Sequence, residues 1–274
     1  MPLASAAPRV INIGPNGTSD NGMRLVKTRH YEIHTDLDAA LVTDLANRMD
    51  VMYDEYTQRL REFHPPTDAP AMPVYLFTHE ADYAALTGNM GTNTGGIFVF
   101  GGKKTYLAAF LGDQGRDKLR HTLQHEAFHQ FAYFAISHDL PIWLNEGLAQ
   151  FFEEGIWTGK NFWINQVPPE RLWDLQDQIK KHKLIEFQRF LDVTPDQWHK
   201  NLSGSLAAGD LYYQQAWAMV QFLVDGSHPD YRTRLIDYLK RLHNNESPDK
   251  AFEAAFSKNI KGFQDRFAEW IVNL

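Results

Sequence analysis

The chain has 274 residues, a formal net charge of -7, 43% hydrophobic residues and no cysteine. That length can bury a full core as one large domain or two joined lobes. The mild acidity offers no basic surface to nucleic acid, no apolar run reaches membrane-spanning length, and the lack of thiols excludes disulfides, thiolate metal sites and a cysteine nucleophile.

Met1–Pro8 is Ala-rich but has neither the charged nor the apolar region of a signal peptide. It fits the tail of an export signal whose upstream part is absent, which would place the protein in the periplasm or outside the cell. It fits an unstructured start equally well, and the compartment stays open. Residues 1–22, rich in Gly, Asn, Pro and Ser, read as a flexible segment. Arg29–Thr35 alternates as a strand, with His30 and His34 on one side of it, where two histidines without a partner fit surface residues better than metal ligands. Asp36 is the expected cap of a helix of about 25 residues carrying Leu41, Leu45, Met49, Met52, Tyr56 and Leu60. Met72–Phe77 reads as a buried strand and His79–Leu86 as a short helix.

A Gly/Asn-rich loop, Thr87–Gly96, leads into Ile97–Phe100, a Gly101-Gly102 turn and Thr105–Phe110, which together read as a hairpin. Glycines ahead of a strand let another backbone approach closely. In a peptidase, Gly95, Gly96, Ile97 and Phe98 could therefore pair with an extended substrate by strand addition. The same pattern fits a mobile hairpin just as well. It matches neither a phosphate-binding loop nor a dinucleotide-binding spacing.

Gly115–Ile136 contains no Pro, carries apolar residues at helical spacing and includes His125-Glu126-Ala127-Phe128-His129, an H-E-x-x-H motif. Four residues apart on a helix, His125 and His129 stack on one face about 6 Å apart along the axis, where two imidazoles can share a tetrahedral cation. Glu126, beside the first histidine, can take the proton of a water that such a cation acidifies. His121, one turn earlier, fits a surface role better than a ligand's, because the pair His121/His125 has no Glu between its members. Ser137–Pro141 ends the helix, and Ile142–Glu153 forms the next one with Pro141 at its start.

The short connection makes the two helices antiparallel neighbours. Glu146 then lies about 7 Å into the second helix and His129 about 12 Å from the end of the first, so the carboxylate can reach the same cation. A Glu amid Trp143, Leu144, Leu148 and Phe151 is costly unless it is paired or bound to a cation. Asp139 is a poorer third ligand and a better loop or capping residue. Ala132 and Ala135 stand where a metzincin would have Gly and His.

His125–His129 followed by Pro141-Ile-Trp-Leu-Asn-Glu146-Gly-Leu-Ala-Gln-Phe-Phe152 resembles the gluzincin metallopeptidases, most closely the peptidase-MA-like bacterial domains and more distantly the zinc aminopeptidases. The resemblance implies one zinc ion held by His125, His129 and Glu146, with Glu126 as general base. Tyr213-Gln-Gln-Ala216 is similar to the Y-x-x-[GA] helix start that aims a tyrosine at the metal in the aminopeptidases. Tyr213 would then stabilise the oxyanion, with Tyr212 as the alternative and a plain core tyrosine as the structural one. In this sequence Asp210 would cap the helix Leu211–Val224.

The stretch 155–209 reads as helices and loops, with Trp157, Trp163, Trp173 and Trp198 as core or cleft-wall residues. Two or three amphipathic helices follow Asp230, leaving His228 and His243 solvated. The expected architecture is α+β and zincin-like, with a metallopeptidase domain over residues 23–274. A small N-terminal mixed sheet with helices would span about 23–112 and a mostly helical lobe about 113–274. A peptide or protein substrate would lie in the groove between the lobes. The aminopeptidases it resembles share an acidic element that grips the substrate's free amine; Gly95–Phe100 carries no acid, which leans to an endopeptidase or to a narrow, unidentified substrate.

Overall fold

The computed structural model describes residues 23–66, 69–101, 105–204, 206–225 and 228–274. The expected flexible segment 1–22 and Gly102 of the expected turn lie outside them. The fold is mixed α+β, as the residue patterns predict. The chain divides into two compact units, one running to Phe131 and including Trp157–Phe162, the other Ala132–Ile156 with Trp163–Leu274.

The first unit is built on a five-stranded mixed sheet. β1 (Arg24–Lys27), β2 (Tyr31–Thr35), β3 (Met72–Phe77), β4 (Gly96–Val99) and β5 (Tyr106–Phe110) stand in the order β1-β2-β3-β5-β4. β2, β3 and β5 are mutually parallel, while β1 and β4 are antiparallel edge strands. The pleat sends alternate residues to opposite faces. The register therefore puts Ile33, Val74, Leu76, Leu107 and Ala109, all 0% exposed, on one face. Two helices cover that face. α1 (Ala39–Arg59) touches it through Tyr53, set edge-on to Tyr31, and α3 (Gly115–Ala135) through Gln130 Nε2, which donates to Pro73 O. Tyr56 Oη of α1 donates to Gln124 O of α3 at 3.0 Å. The opposite face carries Phe77, Tyr106, Ala108 and Phe110, clustered with Tyr83 of α2 (Glu80–Thr87).

Three details differ from the sequence reading. β1 was not anticipated: its four residues are too few and too charged to show alternation. The cap of α1 is Asp38, whose Oδ1 accepts from Leu41 N at 2.9 Å. Asp36 instead accepts from Thr78 N at 2.7 Å, because Thr35 Oγ1 holds Leu37 N and keeps the chain turning before the helix begins. His30 and His34 are stacking residues, on Tyr53 at 3.8 Å and on Tyr75 at 4.9 Å.

The turn between β1 and β2 is held by Asp50 of α1, which is 3% exposed. Its carboxylate accepts from Thr28 Oγ1 at 2.7 Å, Arg29 N at 3.1 Å and His30 N at 3.3 Å. Removing it takes this acceptor from Arg29 N and weakens the other two bonds, although Thr28 Oγ1 keeps Tyr31 O at 3.4 Å and His30 N keeps Thr28 Oγ1 at 3.3 Å. With an unmet buried donor costing about 1–3 kcal/mol, Asp50→Ala should lower the unfolding free energy in urea by about 1–3 kcal/mol, and Asp50→Asn, which keeps one acceptor, by less.

The second unit is almost entirely helical. It holds α4 (Ile142–Glu153), α5 (Pro169–Lys180), α6 (Phe187–Leu191), α7 (Pro195–Gly204), α8 (Leu206–Asp225), α9 (Tyr231–His243), α10 (Pro248–Ala255) and α11 (Ile260–Val272). A two-stranded ladder, β6 (Ile156–Trp157) with β7 (Phe162–Trp163), follows α4. The three helices after Asp230 match expectation. α8 begins five residues earlier than predicted, so Asp210 lies inside it and is not its cap; Ala207 and Ala208 extend the helix upstream.

Trp198 is fully buried, but Trp163 and Trp173 are 65% and 66% exposed and are not core residues. α5 buries Leu175, two residues along and so on its far side. Trp157 lies beneath the Arg48 guanidinium. His228 is exposed as expected. His243 is exposed too, but its Nδ1 meets Ile136 O at 2.6 Å, a basic residue in the last turn of α9 tied to a helix-end carbonyl.

Candidate metal centre

α3 is organised by two ridges of residues four apart. Leu119, Leu123, Ala127, Phe131 and Ala135 form the buried ridge, all at most 3% exposed. His121, His125 and His129 form another, displaced by two residues, or about 200° around the axis. His121 is exposed, whereas His125 and His129 are half-buried. Leu-rich burial on one side thus turns the histidines away from the core, where they stay accessible to a cation.

The two imidazoles face each other with Nε2 atoms 3.0 Å apart. Two nitrogens on one tetrahedral zinc, each at about 2.05 Å, sit about 3.3 Å apart, so little movement is needed to share an ion. Glu146 completes the set. His125, His129 and Glu146 each offer one ligand atom, these atoms all lie within 4.8 Å of one another, and all three residues are half-buried. Among the described residues this is the one such group of three. Two imidazole nitrogens and a carboxylate oxygen could hold a divalent metal ion, and such a nitrogen/oxygen set suits zinc among others. Asp139 and His121, weighed as ligands on sequence, are exposed and outside the group.

Glu126 is 9% exposed and takes no part in the group. Its Oε2 accepts from Phe98 N of the edge strand β4 at 2.8 Å. Gly96 explains how the strand comes so close: a Cβ there would stand 2.5 Å from Thr122 Cγ2, one turn before Glu126 on α3. Two strand residues rise about 6.8 Å and four helix residues about 6 Å, so Gly96/Thr122 and Phe98/Glu126 match along the two elements. The close neighbour that this glycine admits is the helix itself.

Gly95 has φ +85°, which a side chain would strain, and its O accepts from Phe110 N at 3.1 Å. The Gly95 and Ile97 positions therefore face β5, while Gly96 and Phe98 turn their backbone groups to the outer edge, where Glu126 takes Phe98 N and Thr94 Oγ1 donates to Gly96 O at 2.7 Å. Among the described residues no strand pairs with that edge. Ile97 sits on the opposite face with Val99, packed on the Phe77/Tyr106 cluster.

On the helical side, Glu146 is positioned by its neighbour Gly147. A Cβ at Gly147 would lie 2.5 Å from Ala216 O and 2.8 Å from Val220 Cγ2 of α8. Only glycine lets the α4 and α8 backbones meet there. Tyr213 lies one turn before Ala216 on α8, is half-buried, and sets its ring edge-on to Trp198 at 5.4 Å. Tyr212 is 6% exposed and packs between Phe190 and Trp198, which leaves it a core residue. The approach of β4 to Glu126 and the α4–α8 contact at Gly147 were missed on sequence. A glycine beside each motif was the available signal.

The family model described as "Protein of unknown function (DUF1570)" matches residues 120–248, a span that contains His125, Glu126, His129, Glu146 and Tyr213. That description assigns no activity. No curated protein matches the chain.

Proposed function

We propose that the chain is a zinc-dependent hydrolase of peptide bonds, of gluzincin type and acting as an endopeptidase. The observation that carries this reading is the grouping of His125, His129 and Glu146 within 4.8 Å, with the next carboxylate, Glu126, outside that group and held by a sheet edge. A purely structural zinc has no use for such a carboxylate. When bound, zinc would polarise the scissile carbonyl and acidify a water.

Glu126 would take the proton of the attacking water and hand it to the departing amine. The outer edge of β4 would align an extended peptide through backbone groups other than Phe98 N, which Glu126 holds, and Gly96 O, which Thr94 Oγ1 holds. Tyr213 would donate a hydrogen bond from its hydroxyl to the oxyanion. The α4–α8 contact supports Tyr213, because Gly147 follows Glu146 and meets α8 one turn after that tyrosine.

Metal analysis joined to a peptide-library digest tests the reading. One zinc per chain is expected in the wild type. His129→Ala, which leaves two ligands, should lose nearly all of it, and Glu146→Gln should weaken retention against a chelator by about 10-fold or more. Zinc at one per chain with no peptide cleaved would replace this reading with a zinc-binding domain that does not hydrolyse peptides, or with a hydrolase of a different amide.

A further inference from the structure

A cleft lies within the helical unit, far along the chain from the metal-ligand motifs. Its walls come from α6, α9, α10 and the start of α11, and it opens to solvent. Three carboxylates line it, from Asp192, Asp249 and Glu253, and no Lys or Arg does. Its apolar wall includes Leu191, Phe252 and Ile260. The bland account of each acid is local. Asp249 sits in the first turn of α10, where the helix dipole favours it, and Asp192 closes α6 and accepts from Gln188 Nε2 at 3.0 Å. Glu253 has Lys258 at 4.0 Å, both well exposed, a pair too loose and too hydrated to neutralise the cleft.

Tyr238 is what local accounts leave over. It is 1% exposed, lines the same cleft, and packs its ring edge-on to Phe252 at 5.8 Å. Among the described residues its hydroxyl makes no hydrogen bond. Nor is that oxygen among the buried polar atoms sealed away from solvent, and the residue lines the cleft. Burial, and then the charge of Asp249, push this phenol's pKa up, which keeps it a neutral donor and acceptor. A buried tyrosine normally finds a partner for its hydroxyl.

From the three carboxylates, the apolar wall and this hydroxyl we infer that the cleft binds an alkylguanidinium, the chemistry of an arginine side chain. A bare metal ion is a poor occupant. Asp192, Asp249 and Glu253 do not form a group whose oxygens converge within 4.8 Å, whereas the histidine-containing site does. Donors spread over a plane suit acceptors spread around a cleft, and a weakly hydrated guanidinium sheds water at lower cost than an ammonium on entering an apolar-walled cleft. The alkyl stem would lie along Leu191 and Ile260. This binding is independent of the zinc reading.

The probes are n-butylguanidinium, n-butylammonium and the neutral n-butylurea, titrated into the full chain and followed by amide chemical shifts. Butylguanidinium should saturate with a dissociation constant on the order of 1 mM and shift residues 188–192 and 248–253. Asp249→Asn and Glu253→Gln should each weaken it about tenfold, and Tyr238→Phe by less, with unfolding midpoints recorded to show that each variant is folded. No saturable shift, shifts centred elsewhere, unchanged affinity in folded Asp249→Asn, or equal binding of butylurea would overturn the assignment. Tighter binding of butylammonium would overturn the choice of guanidinium.

Discussion

Glu126→Gln should abolish hydrolysis of any amide the protein cleaves, lowering kcat by about 10²–10⁴-fold while one zinc per chain is retained. The substitution is chosen for what it leaves in place. Glu126 Oε2 accepts from Phe98 N at 2.8 Å, and a glutamine oxygen can accept the same bond, so the edge strand keeps its anchor on α3. Glu126 is no member of the His125/His129/Glu146 group, so metal content should not fall. What disappears is a carboxylate oxygen able to accept a proton: Oε1 takes no hydrogen bond among the described residues, and in glutamine its counterpart is an amide nitrogen. Glu126→Ala separates the two roles. It should be as inactive as the glutamine variant, but less stable by about 1–3 kcal/mol, because the Phe98 N–H loses this acceptor. Cleavage by Glu126→Gln at the wild-type rate would remove the general base, and with it the proposed chemistry.

Periodicity made the main elements legible. The four-residue spacing of Leu119, Leu123, Ala127 and Phe131 sets which side of α3 is buried, and so which side His125 and His129 occupy. The short Ser137–Pro141 connection places Glu146 on the following helix, and the hairpin of β4 and β5 follows from its turn residues. What stayed hidden depends on neighbours distant in sequence. Asp36 and Asp38 look alike as caps, and only the hydrogen bond from Thr78 N, forty-two residues on, decides between them. Trp163 and Trp173 look like core residues by type, but a two-residue strand and an amphipathic helix turn them outward. The link between Phe98 N and Glu126 joins a backbone amide to a side chain twenty-eight residues away; Gly96 signals a close approach there but not which element approaches.

Gly147→Ala should destabilise the protein by about 2–3 kcal/mol and lower its unfolding midpoint by about 4–12 °C. Two effects of opposite sign compete. In a helix interior, alanine is favoured over glycine by about 1 kcal/mol. Against this, the new Cβ would stand 2.5 Å from Ala216 O and 2.8 Å from Val220 Cγ2, where ordinary contact begins near 3.4 Å. Ala216 is 0% exposed, as are Ala218, Met219 and Val220 beside it, so α8 has little freedom to retreat. The clash is with backbone first. Adding Val220→Ala should therefore recover little of the loss, whereas a side-chain clash would be largely relieved by it. Because Glu146 adjoins the strained position, the folded fraction of Gly147→Ala should also release zinc to a chelator more readily than wild type. A variant as stable as wild type, or more stable as helix propensity alone would give, would show that α4 and α8 do not meet backbone to backbone at this glycine.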